Sequence, residues 1–172
     1  MSLIRGVSMQ LNRCIMEQYY GMSQKIAEAI KAVTGIDVTI MNENMDRISG
    51  TGVYENFIGE KIEKNTVFYY CLSSGNPQIV VNQSIDNEIC KKCPRYLTCL
   101  EKALICVPII QDNQAAGVIG VIAFNEEQKD KIAQNNKIYL NFLEKMADLL
   151  SAKYFEYKIN FERQLLNDRL VG

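Results

Sequence analysis

The stretch Ile105-Cys106-Val107-Pro108-Ile109-Ile110-Gln111-Asp112-Asn113-Gln114-Ala115-Ala116-Gly117-Val118-Ile119-Gly120-Val121-Ile122-Ala123 sets two apolar, β-branched runs on either side of a polar connection. Taken as Ala103–Ile110 and Ala115–Phe124, the runs read as paired strands, with Gln111–Gln114 as a four-residue hairpin connection. Proline donates no ladder hydrogen bond, so Pro108 points to a sheet edge or a bulge. Gly117 and Gly120 mark a strand bend or, less commonly, a close approach by backbone or a small molecule.

Upstream of this hairpin the chain opens with a helix over Ser8–Val33. Ile15, Tyr19, Met22, Ile26, Ala29 and Val33 recur at alternating four- and three-residue steps, and Gly35 suits the left-handed position past its end. Ile36–Met41 alternates as a strand, Asn42-Glu43-Asn44 turns, and Asp46–Ser49 returns as a shorter strand into Gly50-Thr51-Gly52. Those glycines read as a plain turn, because no Gly-x-x-x-x-Gly-Lys phosphate loop is present. A second helix is expected over Glu60–Ser73, with Ile62, Val67, Tyr70 and Cys71 inward and Gly75 past its end. Pro77–Val81 reads as a strand, Asn82–Glu88 as a polar connection, and Leu97–Lys102 as a further helical turn.

Downstream, Asn125-Glu126-Glu127-Gln128 has the form of an N-cap with an acidic first turn and a box partner. The helix it starts meets no Gly or Pro before Arg169, which allows roughly 65 Å at 1.5 Å per residue. Leu143, Met146, Leu150, Tyr154, Tyr157, Phe161 and Leu165 form a stripe with an eleven-residue repeat, suited to a nearly straight helical pair. Its distal half has no evident partner within the domain. A homodimer through the terminal helices is therefore expected.

The composition is that of a globular chain, 48% hydrophobic and 23% charged, and 172 residues suffice for one core with an appendage. A formal net charge of −1 without a basic block argues against direct nucleic-acid binding. No apolar run is long enough to span a bilayer and no secretory signal is evident, so the expected location is the cytoplasm, with no membrane partner.

There is no histidine, so any zinc or iron site would rest mainly on cysteine. Four of the six cysteines stand between residues 90 and 106, in the pattern Cys-x2-Cys-x5-Cys-x6-Cys, with Cys71 upstream. Three readings stay open. Cys90, Cys93 and Cys99, with Cys106 or Cys71 as a fourth thiolate, suit an iron–sulfur cluster or Zn²⁺. Cys90–Cys93 or Cys93–Cys99 suit a reversible disulfide, because Lys91, Lys92 and Arg95 favour thiolates. The cysteines are otherwise without a role, Cys71 being a small buried hydrophobe and Cys14 inert. Tyr54, Phe57, Phe68, Tyr69 and Tyr70 either line a pocket for an organic effector or are core, and no charged residue stands out as a ligand anchor.

The motif Ile105-Cys106-Val107-Pro108-Ile109-Ile110 followed by Gly117-Val118-Ile119-Gly120-Val121-Ile122-Ala123 resembles the hairpin of GAF domains, a sensing fold related to PAS. Ile26–Gly50 resembles the start of sensory domains in bacterial sugar-diacid regulators. The Cys-x2-Cys-Pro-x5-Cys loop before such a hairpin looks most like the N-terminal sensors of bacterial sigma-54-dependent activators. The resemblance covers residues 15–160 and implies an α+β fold: a central antiparallel sheet of about five strands, flanked by N- and C-terminal helices, the last a long signalling helix. The domain expectation is residues 1–14 as an N-terminal helix or leader, 15–152 as the sensor and 153–172 as the extended helix. The resemblance implies a signal sensor rather than an enzyme, with ATPase and DNA-binding modules outside this chain. It also implies an alternative, since some GAF domains reduce free methionine sulfoxide with cysteines. Against that reading, no carboxylate stands at a telling sequence distance from the thiols, Asp86 and Glu88 lying just before Cys90.

Overall fold

The computed structural model describes residues 2–81 and 87–171, with side chains from Arg13 onward except at 168 and 171. Asp86 and most of the polar connection before the cysteine loop lie outside the described residues. One antiparallel sheet organises the molecule, in the order β2-β1-β5-β4-β3. Its strands are β1 (Asp37–Asn42), β2 (Arg47–Gly50), β3 (Gln78–Val80), β4 (Ala103–Gln111) and β5 (Gln114–Ala123). On one face lie the long helices α1 (Ser2–Thr34) and α4 (Glu126–Val171). On the other lie α2 (Val67–Ser74), α3 (Glu88–Lys92) and the 3₁₀ turns Gly52–Phe57 and Tyr96–Thr98. This is the α+β architecture expected from the sequence. The two expected domain boundaries fall inside α1 and α4.

The β4–β5 hairpin is tighter than anticipated. Gln111 pairs with Gln114, leaving a two-residue turn in which Asp112 and Asn113 take φ of 49° and 63°. Asp and Asn tolerate the left-handed region, and such a turn matches the twist of the flanking strands. Pro108 lies beyond the end of β3, where β4 is locally an edge, and a bulge follows at Ile109/Ile110. Gly120 proves to be a close approach rather than a bend. A Cβ there would stand 2.8 Å from Phe68 Cε1 and 3.0 Å from Cys106 Cβ.

Two helix expectations need correcting. Of the proposed Glu60–Ser73 helix, only Val67 onward is helical. The backbone before it bonds elsewhere: Gly59 N–H donates to Arg47 O, Arg47 N–H to Glu60 O and Ile62 N–H to Met45 O. This segment therefore runs along β2, and Thr66, accepting from Tyr69 N–H, caps the true helix start. Phe68, not Tyr70, turns inward with Val67 and Cys71. In α1 the buried face runs through Tyr19, Ser23, Ile26, Ala27, Ile30 and Thr34, while Val33 is 76% exposed. A straight helix has 3.6 residues per turn, so a face read at 3.5 drifts off the core by its last turns.

The start of α4 is built as its sequence indicates. Asn125 Oδ1 accepts from Gln128 N–H, and Gln128 Oε1 accepts from Phe124 N–H. The helix is not uninterrupted, however. Asn135 leaves helical geometry (φ −119°, ψ 19°) while its side-chain amide donates to Lys131 O at 2.9 Å, a local bond that competes with the helical ladder. Beyond this kink Leu143, Ala147 and Leu150 are buried on the sheet. The distal stripe also has a partner in its own chain. Tyr154 packs edge-on against Tyr19 of α1, with ring centroids 5.3 Å apart, while Gln128 near the start of α4 donates to Gly35 O just past the end of α1, so the two helices run antiparallel.

Candidate functional site

The face of the sheet opposite α1 and α4 holds a cavity of about 130 Å³, roofed by α2, the segment before it and the cysteine loop. Its floor depends on an irregularity in β2. Thr39 pairs with Gly50 and Ile40 with Ser49, but Met41 pairs with Arg47, so Ile48 is an extra residue. The bulge puts Arg47 on the face of Met41, and regular pairing would have sent it to the α1/α4 side. Arg47 is 8% exposed, and its guanidinium carbon lies 3.9 Å from the centroid of the Tyr54 ring. Among the described residues its Nε has no hydrogen-bond partner and its guanidinium makes no ion pair. Burial lowers its pKa, against the opposing pull of Tyr54, Glu101 and Glu60.

Tyr54 connects this cation to a carboxyl group, its hydroxyl donating to Glu101 Oε1. Burial raises the Glu101 pKa above the ordinary carboxylate value, opposed by the Tyr54 hydrogen bond and by Arg47 and Arg95. Burial raises the Tyr54 phenol as well, and the nearby Glu101 carboxylate adds to this. Of the five aromatics left open between pocket and core, Tyr54, Phe57 and Phe68 line the cavity, whereas Tyr69 and Tyr70 do not and pair with each other. Arg47 and Glu101 escaped the sequence reading, which named Arg95 only as a cation beside the thiols and found no charged anchor.

The cysteines divide into two groups. Cys90, on α3, and Cys93 and Cys99, on the loop, line the cavity. Asn87 Oδ1 accepts from the N–H groups of Ile89 and Cys90, which fixes the short helix that presents the first thiol. Burial pushes Cys90 up to about 11, reinforced by Cys99 and Cys93, so it stays a thiol at neutral pH. Cys71 and Cys106 do not line the cavity. They are fully buried in the core beneath α2, where burial and a hydrogen bond with Cys71 hold Cys106 well above the usual thiol value. Cys14 is exposed on α1. In this arrangement the four sulfurs of a tetrathiolate site are not brought together. Among the described residues no three His, Cys, Asp or Glu side chains stand close enough to hold a metal ion. The carboxyl group overlooked in the sequence is Glu101, two residues after Cys99, which shares the cavity with the thiols.

Comparison with known proteins bears on the sheet, the flanking helices and this cavity together. No family model matches the chain. The GAF domain of a phosphoenolpyruvate-protein phosphotransferase from Coxiella burnetii superposes with a TM-score of 0.58 at 10% identity, over 88% of this chain and 95% of that one. The fold is that of a GAF domain. A segment of a methyl-accepting chemotaxis protein has the same fold, with a TM-score of 0.63 at 14% identity over 92% of this chain and 99% of that one. So has a type II free methionine-R-sulfoxide reductase from Thermoplasma acidophilum, with a TM-score of 0.53 at 16% identity over 83% and 96%. In sequence, the chain is 29% identical over 133 residues to UacR of Escherichia coli K12, named as a uric acid sigma-54-dependent transcriptional regulator. The match takes in 77% of this chain but only 22% of UacR. The sequence similarity to a regulator and the GAF fold together support a sensory regulatory domain. Among the described residues, no helix is long and apolar enough to cross a membrane.

Proposed function

We propose that this GAF domain senses a small molecule for a cytoplasmic bacterial transcriptional regulator, with the cavity beneath the cysteine loop as the effector site. The observation that carries this reading is Arg47, a buried cation that lines the cavity with an unpaired N–H. Leaving such a donor unsatisfied costs about 1–3 kcal/mol; the Nε itself is closed to solvent, so an occupant relieves that cost by drawing the guanidinium towards the cavity. An occupant would press on Phe68 and Leu104, and so on β5 at Gly120 and on β4. On the other side of the sheet, Ser151 Oγ of α4 donates to Ile110 O of β4, which couples the strand to the signalling helix.

The helix would carry the change to output modules within a homodimer. Phe155, Leu166 and Leu170 of α4 are 56%, 58% and 85% exposed. With Ile159 they repeat after eleven residues, on a stripe separate from the one that meets α1. Sedimentation equilibrium should show a dimer that Leu166→Glu dissociates; a monomer at high concentration overturns this part.

The sensing reading is tested by thermal denaturation against a metabolite panel that includes uric acid, alongside metal analysis of protein purified without oxygen. A ligand at one hundred times its Kd adds about 2.7 kcal/mol, or about 5–10 °C in Tm for a chain of this size. A panel without effect, with stoichiometric iron or zinc on the protein, replaces the organic effector by a thiol-bound metal. One observation favours a second reading. Glu101 beside Cys90, Cys93 and Cys99 supplies the acid that free methionine sulfoxide reduction needs, two thiols becoming a disulfide as methionine and water leave. The raised pKa of Cys90 weighs against it as the attacking thiolate, and turnover of free methionine sulfoxide decides.

A further inference from the structure

The three thiols on the cavity wall are not equivalent, and the backbone between them picks out a pair. Cys90 lies in α3 and Cys93 caps the C-terminal end of that helix, with Cys93 N–H donating to Cys90 O at 3.0 Å. Residues three apart on such a turn hold their Cβ atoms about 5–6 Å apart, where a disulfide needs about 3.5–4.5 Å. The remaining gap of about 1–2 Å falls on the last residue of a short helix, the position most easily shifted. Cys99 reaches the same wall only through the separate 3₁₀ turn Tyr96–Thr98, so no single helical turn fixes it against either of them. Cys71 and Cys106 are both fully buried in the core, out of reach of an oxidant in solution.

Exposure divides the labour within the pair. Cys93 is half-buried and Cys90 only 6% exposed, so a reagent entering the cavity meets Cys93 first, with Cys90 behind it. The cavity, about 130 Å³, has room for a few water-sized molecules at the thiols, which suits a small peroxide better than a bulky peptide disulfide. Arg95 brings a cation to the same wall, where the hydroxide displaced from a peroxide carries negative charge.

We propose that Cys90 and Cys93 form an oxidation site, which small hydroperoxides convert reversibly to an intramolecular disulfide in the cavity wall. The Cys93 thiolate attacks one peroxide oxygen, the O–O bond breaks, and hydroxide leaves as Cys93 becomes a sulfenic acid. Cys90 Sγ then attacks the sulfenic sulfur, the S–O bond breaks, and the Cys90 proton departs with the oxygen as water. Two thiols are oxidised and one peroxide is reduced to two waters. The disulfide replaces two S–H groups of the wall, so the redox state alters the same cavity that the loop roofs. The site stands whether or not an organic effector occupies that cavity.

The test is peptide mapping of the full chain, reduced, desalted without oxygen and exposed to a slight excess of hydrogen peroxide. Lys91, Lys92 and Arg95 let trypsin cut between Cys90, Cys93 and Cys99, so each possible bond joins a different pair of peptides. The peptides of Cys90 and Cys93 should appear joined, and dithiothreitol should separate them. Cys90→Ser should leave on Cys93 a sulfenic acid that dimedone captures, while Cys93→Ser should slow oxidation of Cys90 by about ten-fold or more. Cys99→Ser should leave the bond intact. Mapping of the native chain needs no variant to fold and decides alone where one does not. A bond from either cysteine to Cys99, a Cys71–Cys106 bond in its place, or both thiols surviving an excess of peroxide overturns the proposal. None of these outcomes bears on the metabolite panel, which tests the sensing role separately.

Discussion

Replacing Arg47 by Met should separate the needs of the fold from those of the site. Methionine keeps an unbranched stem, and the backbone bonds of residue 47 to Glu60 O and Gly59 N–H do not depend on the side chain. The guanidinium leaves behind two opposing contributions. Its unpaired Nε–H costs about 1–3 kcal/mol in the ligand-free protein. Its contact with the Tyr54 ring returns about 0.5–2 kcal/mol. These nearly cancel, so the variant should match the native protein within about 1 kcal/mol, an urea midpoint shift under roughly 0.5 M at a slope of about 2 kcal/mol/M. The ligand-induced rise in Tm should disappear. Urea titration reads the first quantity, and thermal denaturation with and without effector reads the second. A ligand-free loss above about 3 kcal/mol is what breaking a buried ion pair costs, and it would refute the reasoning by making Arg47 a structural partner of Glu101 rather than a waiting anchor.

Three further outcomes follow from the same cavity and core. Tyr54→Phe removes the hydroxyl bonded to Glu101 and should cost about 2 kcal/mol at pH 8. That bond lowers a carboxyl pKa which burial has raised, so ionised Glu101 weighs on the folded state above its pKa, and the deficit should shrink in urea titrations as the pH is lowered and the group protonates. Alkylation followed by mass spectrometry should label exposed Cys14 first, Cys93 and Cys99 next, Cys90 only as pH rises towards 11, and Cys71 and Cys106 only on unfolding. Gly120→Ala puts a methyl 2.8 Å from Phe68 Cε1, which should cost about 1–3 kcal/mol in urea and push Phe68 into the cavity.

What the sequence disclosed was whatever short-range chemistry decides. The β4–β5 hairpin, the Gly75 cap with φ 66° and the Asn125–Gln128 box each need only a few neighbouring residues, and each stands where expected. The segment before α2 failed this test for a physical reason. Its helical look came from Ile62 and Val67, but its backbone donors and acceptors are taken by Met45 and Arg47, residues more than ten positions away. The pairing of Tyr154 with Tyr19 was hidden likewise, since a stripe along one helix does not say which chain supplies its partner.

The site shows the same division more sharply. A cluster of cysteines is visible as spacing, yet spacing could not divide it into three thiols on a cavity wall and two in the core, because β4 carries Cys106 under α2 while Cys99 stays on the loop. Arg47 was hidden twice over. Alternation along β2 assigns residues 47 and 49 to one face, and only the bulge between Ile40 and Met41 turns Arg47 to the other. Glu101 sits two residues before a strand, where a carboxylate ordinarily meets solvent, and becomes half-buried only because Tyr54 and Arg47 arrive from β2 and the turn after it. The residues hardest to find from sequence are thus those that the fold holds against their own solvation, and that unfavourable burial is the physical reason to assign them the ligand.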